Sequence, residues 1–203
     1  MTNRTIVRIL LIVCSCRAGA AQTGTLSPAE REAATTHLEK TGRAVRDAVA
    51  VLSGEQWDFQ QAPGRWSIRQ CVEHLILAEE FLFGFAQQAL ENPATPADPA
   101  KAAAVDRQLL SLIPDRSRKA TAPSQATPSG RWADREEALA EFQSRRKRTV
   151  DYVNGTAEAL RQHRVRTPVG EIDAYQVILM LSAHTERHLA QMAEVKAAPG
   201  YPK

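Results

Sequence analysis

Four long segments with apolar residues at helical spacing each begin with a capping side chain followed three positions later by Glu or Gln. The pairs are Ser27 with Glu30, Ser67 with Gln70, Asp134 with Glu137 and Asp173 with Gln176. Such pairs satisfy the orphan N–H groups of a helix start locally, so they mark where helices begin before any tertiary contact is considered. Pro28 adds a proline at the first helical position, where a missing N–H costs nothing. The first helix is expected to run to about Leu52, with Leu38, Val45, Val49 and Leu52 on one side and Gly54 ending it. The second carries Ile68, Val72, Leu75, Leu82, Phe85 and Ala89 on a common stripe and is stopped by Pro93. The third carries Leu139, Phe142, Val150 and Val153, with Arg145 to Arg148 expected on a solvated face. The last is expected to run to about Ala197, before Pro199-Gly200.

Between the second and third helices, Asn92 to Pro99 and Thr121 to Gly130 are rich in proline and alanine and flank a short helix expected at Ala102 to Ile113. This is expected to be a long connection over the surface, able to act as a lid. Aromatic residues make up only 5 % of the chain. No run alternates apolar and polar residues well enough to argue for a strand. The expected fold is all-α: an antiparallel four-helix bundle, the long middle connection permitting one crossover.

The chain has 203 residues, enough for one domain with a real core. Residues 1–20 read as a secretory signal peptide: Arg4 and Arg8 precede a short apolar stretch from Ile9 to Cys16, and Ala18-Gly19-Ala20 offers small residues for cleavage. The stretch is too short to span a bilayer. Residues 21–203 then form an exported, periplasmic or secreted domain with no stable membrane insertion; lipid attachment at Cys16 is one competing reading, and a cytosolic protein with an apolar start is another. Cleavage removes Cys14 and Cys16 and leaves Cys71, which cannot form an internal disulfide alone. The net charge of +3 is spread among interspersed charges of both signs, without the concentrated basic face a nucleic-acid binder needs.

In the last helix Val177, Leu181, His184, His188 and Val195 lie near one line, so two histidines occupy core-facing positions. Residues four apart bring their side chains roughly 5–6 Å apart, close enough for two imidazoles to share an ion. His74, at the edge of the second helix's stripe between Cys71 and Ala78, is the third candidate ligand from across the core. Three neutral imidazoles suit zinc, nickel, iron or copper and leave a position open. Spacing alone leaves the alternative open that these are core histidines satisfied by hydrogen bonds. His37 and His163 are weaker candidates, the second expected near the end of the third helix, where an imidazolium suits the dipole.

The segment Pro63-Gly64-Arg65-Trp66-Ser67-Ile68-Arg69-Gln70-Cys71-Val72-Glu73-His74-Leu75 resembles the second-helix motif of DinB-like proteins, in which a tryptophan-serine start precedes a metal-binding histidine. Ala183-His184-Thr185-Glu186-Arg187-His188-Leu189-Ala190-Gln191 is similar to that family's last-helix motif, with the other two histidines. Glu141-Phe142 with Arg145, the turn at Gly170 and the ending Pro199-Gly200-Tyr201-Pro202 fit the same pattern. The resemblance spans roughly Leu26 to Pro202. It implies a four-helix bundle that binds zinc or nickel through His74, His184 and His188, often as a homodimer.

Relatives with assigned activities are metal-dependent thiol transferases and mycothiol-dependent isomerases. An exported protein has little access to cytosolic thiol cofactors, so the expectation shifts to a metal-dependent hydrolase or transferase acting on a small molecule. A non-catalytic module stabilised by its metal is the alternative. No general base is identified. Glu73 and Glu186 adjoin ligand histidines but point elsewhere on the helix, as surface or supporting groups. Tyr152 reads equally as an inward-pointing group or as a core tyrosine bonded to a partner. Cys71, one turn before His74, reads as a small buried residue at a helix contact, with a thiol near the metal as the alternative. Trp66 reads as packing under the start of the second helix, with a substrate wall as the alternative.

Overall fold

The computed structural model describes residues 24–117 and 120–203; the expected leader, 1–20, lies outside the described residues. The elements in chain order are α1 (Pro28–Val49), α2 (Gly54–Asp58), α3 (Ile68–Ala89), α4 (Pro99–Leu112), α5 (Arg135–Gly155), β1 (Arg164–Thr167), β2 (Gly170–Asp173) and α6 (Ala174–Lys196). The expected starts are present as read. Ser27, Ser67 and Asp173 each accept the N–H three residues on, and the side chains of Glu30, Gln70 and Gln176 return to the cap's own N–H. Asp134 accepts from the Glu137 N–H at 2.8 Å.

Three details differ from expectation. Helix α1 stops at Val49 because Ser53 and Gln56 form another reciprocal cap and open the separate turn α2, whose Trp57 is buried against the core. Helix α4 begins at Pro99, under the side chain of Asp98, which accepts the N–H groups of Ala100 and Lys101. The turn at Pro168–Gly170 closes an antiparallel hairpin in which Arg164 pairs with Asp173 and Thr167 with Gly170. Strands of four residues with one side to solvent carry too few alternations to declare themselves in the sequence. Gly170 takes φ +116°, a conformation that favours glycine.

Long-range hydrogen bonds set the helix directions. Tyr175 donates to the Glu30 carbonyl at 2.8 Å and Lys196 to the Ala48 carbonyl at 2.5 Å, so α1 and α6 run side by side and parallel. Arg31 donates to the carbonyls of Val153 and Thr156, and Arg135 to that of Leu52, so α5 runs against α1. Helix α3 contacts α6 and α5, and its first turns pack with Val195 and Met192 at the far end of α6. The result is a ring α1–α6–α3–α5 in which α3 and α5 are parallel neighbours, while α1 faces α3 and α5 faces α6 across the diagonals. The chain from Leu90 to Asp134 must therefore travel back along the bundle. That is the single crossover expected, although two neighbouring pairs are parallel rather than antiparallel.

The core has two apolar clusters. One gathers Leu38, Val153, Tyr175, Ile178 and Leu181; the other gathers Val45, Ile68, Leu75, Phe142 and Met192. Between them each main helix contributes buried polar groups: Thr41 from α1, Glu79 from α3, Arg146 and Thr149 from α5, Thr185 from α6. This corrects the solvated face expected for Arg145 to Arg148. The Arg146 side chain is 5 % exposed and pairs with Glu79, and only Lys147 and Arg148 extend well into solvent. The physical reason is register: Phe142, Arg146, Thr149 and Val153 are four, three and four residues apart, so Arg146 belongs to the inward stripe of α5.

Candidate metal centre

His74 sits in the second turn of α3, seven residues after the Ser67 cap, and faces α6, the neighbour of α3 in the ring. There His184 and His188 stand one turn apart. The His184 Nε2 lies 3.1 Å from the Nε2 of His74 and 3.1 Å from that of His188. The donor atoms all fall within 4.8 Å of one another. Ring centroids are 4.5–4.9 Å apart.

Hydrogen positions follow from the neighbours. His74 Nδ1 is 2.6 Å from the carbonyl oxygen of Ala126, which can only accept, so Nδ1 carries the hydrogen and Nε2 keeps a free lone pair. His184 Nε2 then faces two nitrogens with at most one hydrogen of its own. No choice of tautomers gives both contacts a well-aligned hydrogen, and one lone pair is left facing another. Burial lowers the pKa of all three imidazoles. His184 is pushed down to about 3 by burial first, then by His74 and by Arg187 and Arg146; His188 falls further still, by burial and by the other two histidines. The cluster is a set of neutral nitrogen donors gathered within 4.8 Å of one another, the donor set that borderline divalent ions prefer. The edge of a tetrahedron with metal–nitrogen bonds of ~2.0–2.1 Å is roughly 3.3–3.4 Å, and the observed 3.1 Å spacings lie near it.

The histidines form part of the wall of a cleft of about 830 Å³. Phe81, Leu82, Leu112, Ile113 and Met180 give it an apolar side, and Arg65, Arg116 and Arg187 a cationic rim. Arg116 holds Glu194 through two hydrogen bonds of 2.6 and 2.8 Å and reaches Gln191 at 3.3 Å. Arg187 donates to the carbonyls of Ile113 and Asp115. The arginines of α6 and of the chain after α4 thus clasp the connection against the bundle. Asp115 and Glu194 are the carboxylate residues lining the cleft. Glu194 is held below the usual carboxylate range, chiefly by its hydrogen bond to Arg116, and so is a weak proton acceptor.

Trp66 does more than pack beneath a helix start. Its ring lies 4.8 Å from that of His74 and stacks 6.0 Å from His188, making it a wall of the site. Glu73 is not a surface group. It is fully buried and accepts the backbone N–H groups of Ser129, Gly130 and Arg131. The middle connection is accordingly pinned into the structure, with Ala126 and Trp132 buried, rather than merely laid over it. Glu186 is half-buried and does not line the cleft. Cys71 is buried as expected, and burial pushes its thiol up to about 12, which leaves no thiolate near neutral pH. Tyr152 is half-buried and packs edge-on against Phe83, away from the cleft lining. His37 remains on α1, outside the cluster. His163 is not at a helix end, because α5 stops at Gly155; it lies before β1 with Nδ1 2.8 Å from the Asn92 carbonyl.

A four-helix bundle with three histidines converging from two facing helices, beside an open cleft, defines a class of bundle proteins that carry their donor set inside the core. Residues 37–192 match the family model of the DinB superfamily, and the chain belongs to that superfamily. In fold it is similar to YfiT from Bacillus subtilis, described as a probable metal-dependent hydrolase with an unusual four-helix bundle topology. The TM-score is 0.57, over 88 % of this chain and 92 % of that chain, at 18 % identity. Among curated protein sequences none matches this chain.

Proposed function

We propose that His74, His184 and His188 hold one divalent transition metal, zinc or nickel, and that the protein is a metal-dependent hydrolase or transferase of a small molecule bound in the cleft. The observation that carries this reading is the convergence of three neutral Nε2 donors on a cleft wall. A purely structural site would be closed by a fourth protein ligand, whereas a catalytic one keeps a position open. The description of YfiT as a probable metal-dependent hydrolase agrees with it. An ion held there supplies a Lewis acid able to polarise a substrate oxygen or acidify water.

The chain's own residues supply the rest. Trp66 presents a flat aromatic face beside the donors and keeps bulk water from that side. The apolar side from Phe81 to Met180 receives a hydrocarbon part of the substrate, and the arginine rim favours a ligand with an anionic group. The leader-like residues 1–20 support an exported protein, where cytosolic thiols would not be the co-substrate.

The test is metal analysis of untagged protein purified from the exported fraction, followed by melting with and without chelator. About one zinc or nickel per chain is expected. At a thousandfold excess over Kd, binding stabilises by about 4 kcal/mol, which is roughly 10 °C in Tm for a domain of this size. No bound transition metal, with melting unchanged in excess zinc or nickel, would sink the reading. A quicker optical check uses Trp66. Copper(II) or nickel(II) added to metal-free protein is expected to quench its fluorescence, and Trp66→Phe to remove most of that response while Trp57 and Trp132 still emit.

A further inference from the structure

The chain segment that borders the cleft above α3 is gripped twice by a single turn of that helix. Glu73 Oε1 accepts the N–H groups of Ser129 at 2.9 Å, Gly130 at 3.0 Å and Arg131 at 3.0 Å, and Oε2 lies 3.0 Å from the Gly130 nitrogen. Three successive amides turned towards one carboxylate form an anion-holding nest. Gly130 makes the turn possible with φ +88°. Glu73 has no exposed surface, so these amides and the Ser129 hydroxyl, 3.3 Å away, are what its carboxylate has in place of water. Just upstream, the same segment presents the Ala126 carbonyl to His74 Nδ1 at 2.6 Å. Only Thr127 and Pro128 separate the two grips, and the locked φ of proline leaves little slack between them.

We propose that Glu73 is a positioning residue for the histidine cluster. By anchoring Ser129 to Arg131 it holds the Ala126 carbonyl in place, and that carbonyl keeps His74 in the Nδ1–H tautomer with its Nε2 lone pair turned to His184 and His188. A ligand histidine whose other nitrogen is held by a hydrogen bond is already in its metal-binding form, and loss of such a support typically lowers metal affinity about 10–100-fold. The effect on metal rests on the reading of the three histidines as ligands. The effect on the tautomer does not.

Two variants separate this from a merely structural anchor. Glu73→Gln replaces an acceptor oxygen with an amide NH₂ that confronts the Gly130 N–H. Gly130→Ala lies off the helix, and its Cβ would have room, with Arg69 3.9 Å away, but the left-handed φ would be strained. The His74 tautomer is read by ¹⁵N NMR of metal-free protein, zinc affinity by competition with a chromogenic chelator, and folding by circular dichroism. Wild type is expected to show His74 as Nδ1–H. Each variant is expected to show a mixture of tautomers and zinc binding weakened roughly 10–100-fold, with helix content retained. Should Glu73→Gln fail to fold, Gly130→Ala gives the same readings. An unchanged tautomer in a folded variant overturns the proposal, as does unchanged zinc affinity where wild type binds zinc. If wild type binds no zinc, the metal reading fails separately, and the tautomer measurement still decides the role of Glu73.

Discussion

Arg146→Ala is expected to destabilise the bundle by about 3–5 kcal/mol, the cost typical of removing one partner from a buried ion pair. The reason lies in what Arg146 leaves behind. Its guanidinium bonds Glu79 through Nε at 2.9 Å and again through an outer nitrogen. It also donates to the Leu38 carbonyl and the Thr41 hydroxyl at 2.7 Å, and to the Thr185 hydroxyl at 2.8 Å. One side chain of α5 thus meets all three other main helices in the layer that divides the two apolar clusters. Without it, the Glu79 carboxyl stands in a place 2 % exposed, with only the Thr149 hydroxyl, at 3.4 Å, left to it among these partners.

Burial alone does not make the pair favourable, since desolvating two charges costs several kcal/mol that their attraction repays only with good geometry. The double replacement Arg146→Met with Glu79→Leu is therefore expected to recover much of the loss. Urea unfolding of the three proteins measures this. A loss below about 1 kcal/mol in Arg146→Ala would mean that water or a side-chain shift relieves Glu79, and that the layer does not depend on the pair.

His184→Ala is expected to lower zinc or nickel affinity on the order of a thousandfold, about 4 kcal/mol, with helix content retained. Of the three imidazoles, His184 is the one whose Nε2 lies 3.1 Å from both others, so its removal leaves two donors with the central one missing. The metal-free fold is expected to lose little. The lost side chain leaves a small cavity, but its removal also relieves the nitrogen contact that no tautomer satisfies. Competition titration and melting of metal-free protein check the two halves. A variant that binds metal as tightly as wild type would remove His184 from the ligand set. One that unfolds without metal would make the imidazole part of the core.

The histidines were legible because a helix repeats every few residues. His184 and His188 fall on the stripe of Val177, Leu181 and Val195, and the Trp66-Ser67 start followed by His74 carries the family resemblance. The same periodicity placed Arg146 inward, between Phe142 and Val153, but a run of four basic residues obscured it. Ser53 and Gln56 carried the same capping signature as the other helix starts, and α2 was legible there too.

What the sequence by itself determined is what neighbours three or four residues apart can decide: where each helix starts, which stripe it buries, and that two histidines share one face of α6. A cap or a stripe is settled within one or two turns, so its signal survives without the fold. Only the tertiary structure decided what depends on residues far apart in the chain. It brought His74 to His184, 110 positions away, and turned the buried Glu73 carboxylate to amides 56 to 58 residues on. It stood Trp66 against His188 and ran α3 parallel to α5. Those meetings follow from how the long connection returns along the bundle. Contacts between residues so far apart in the chain leave no trace in the local periodicity that marks a helix or its cap.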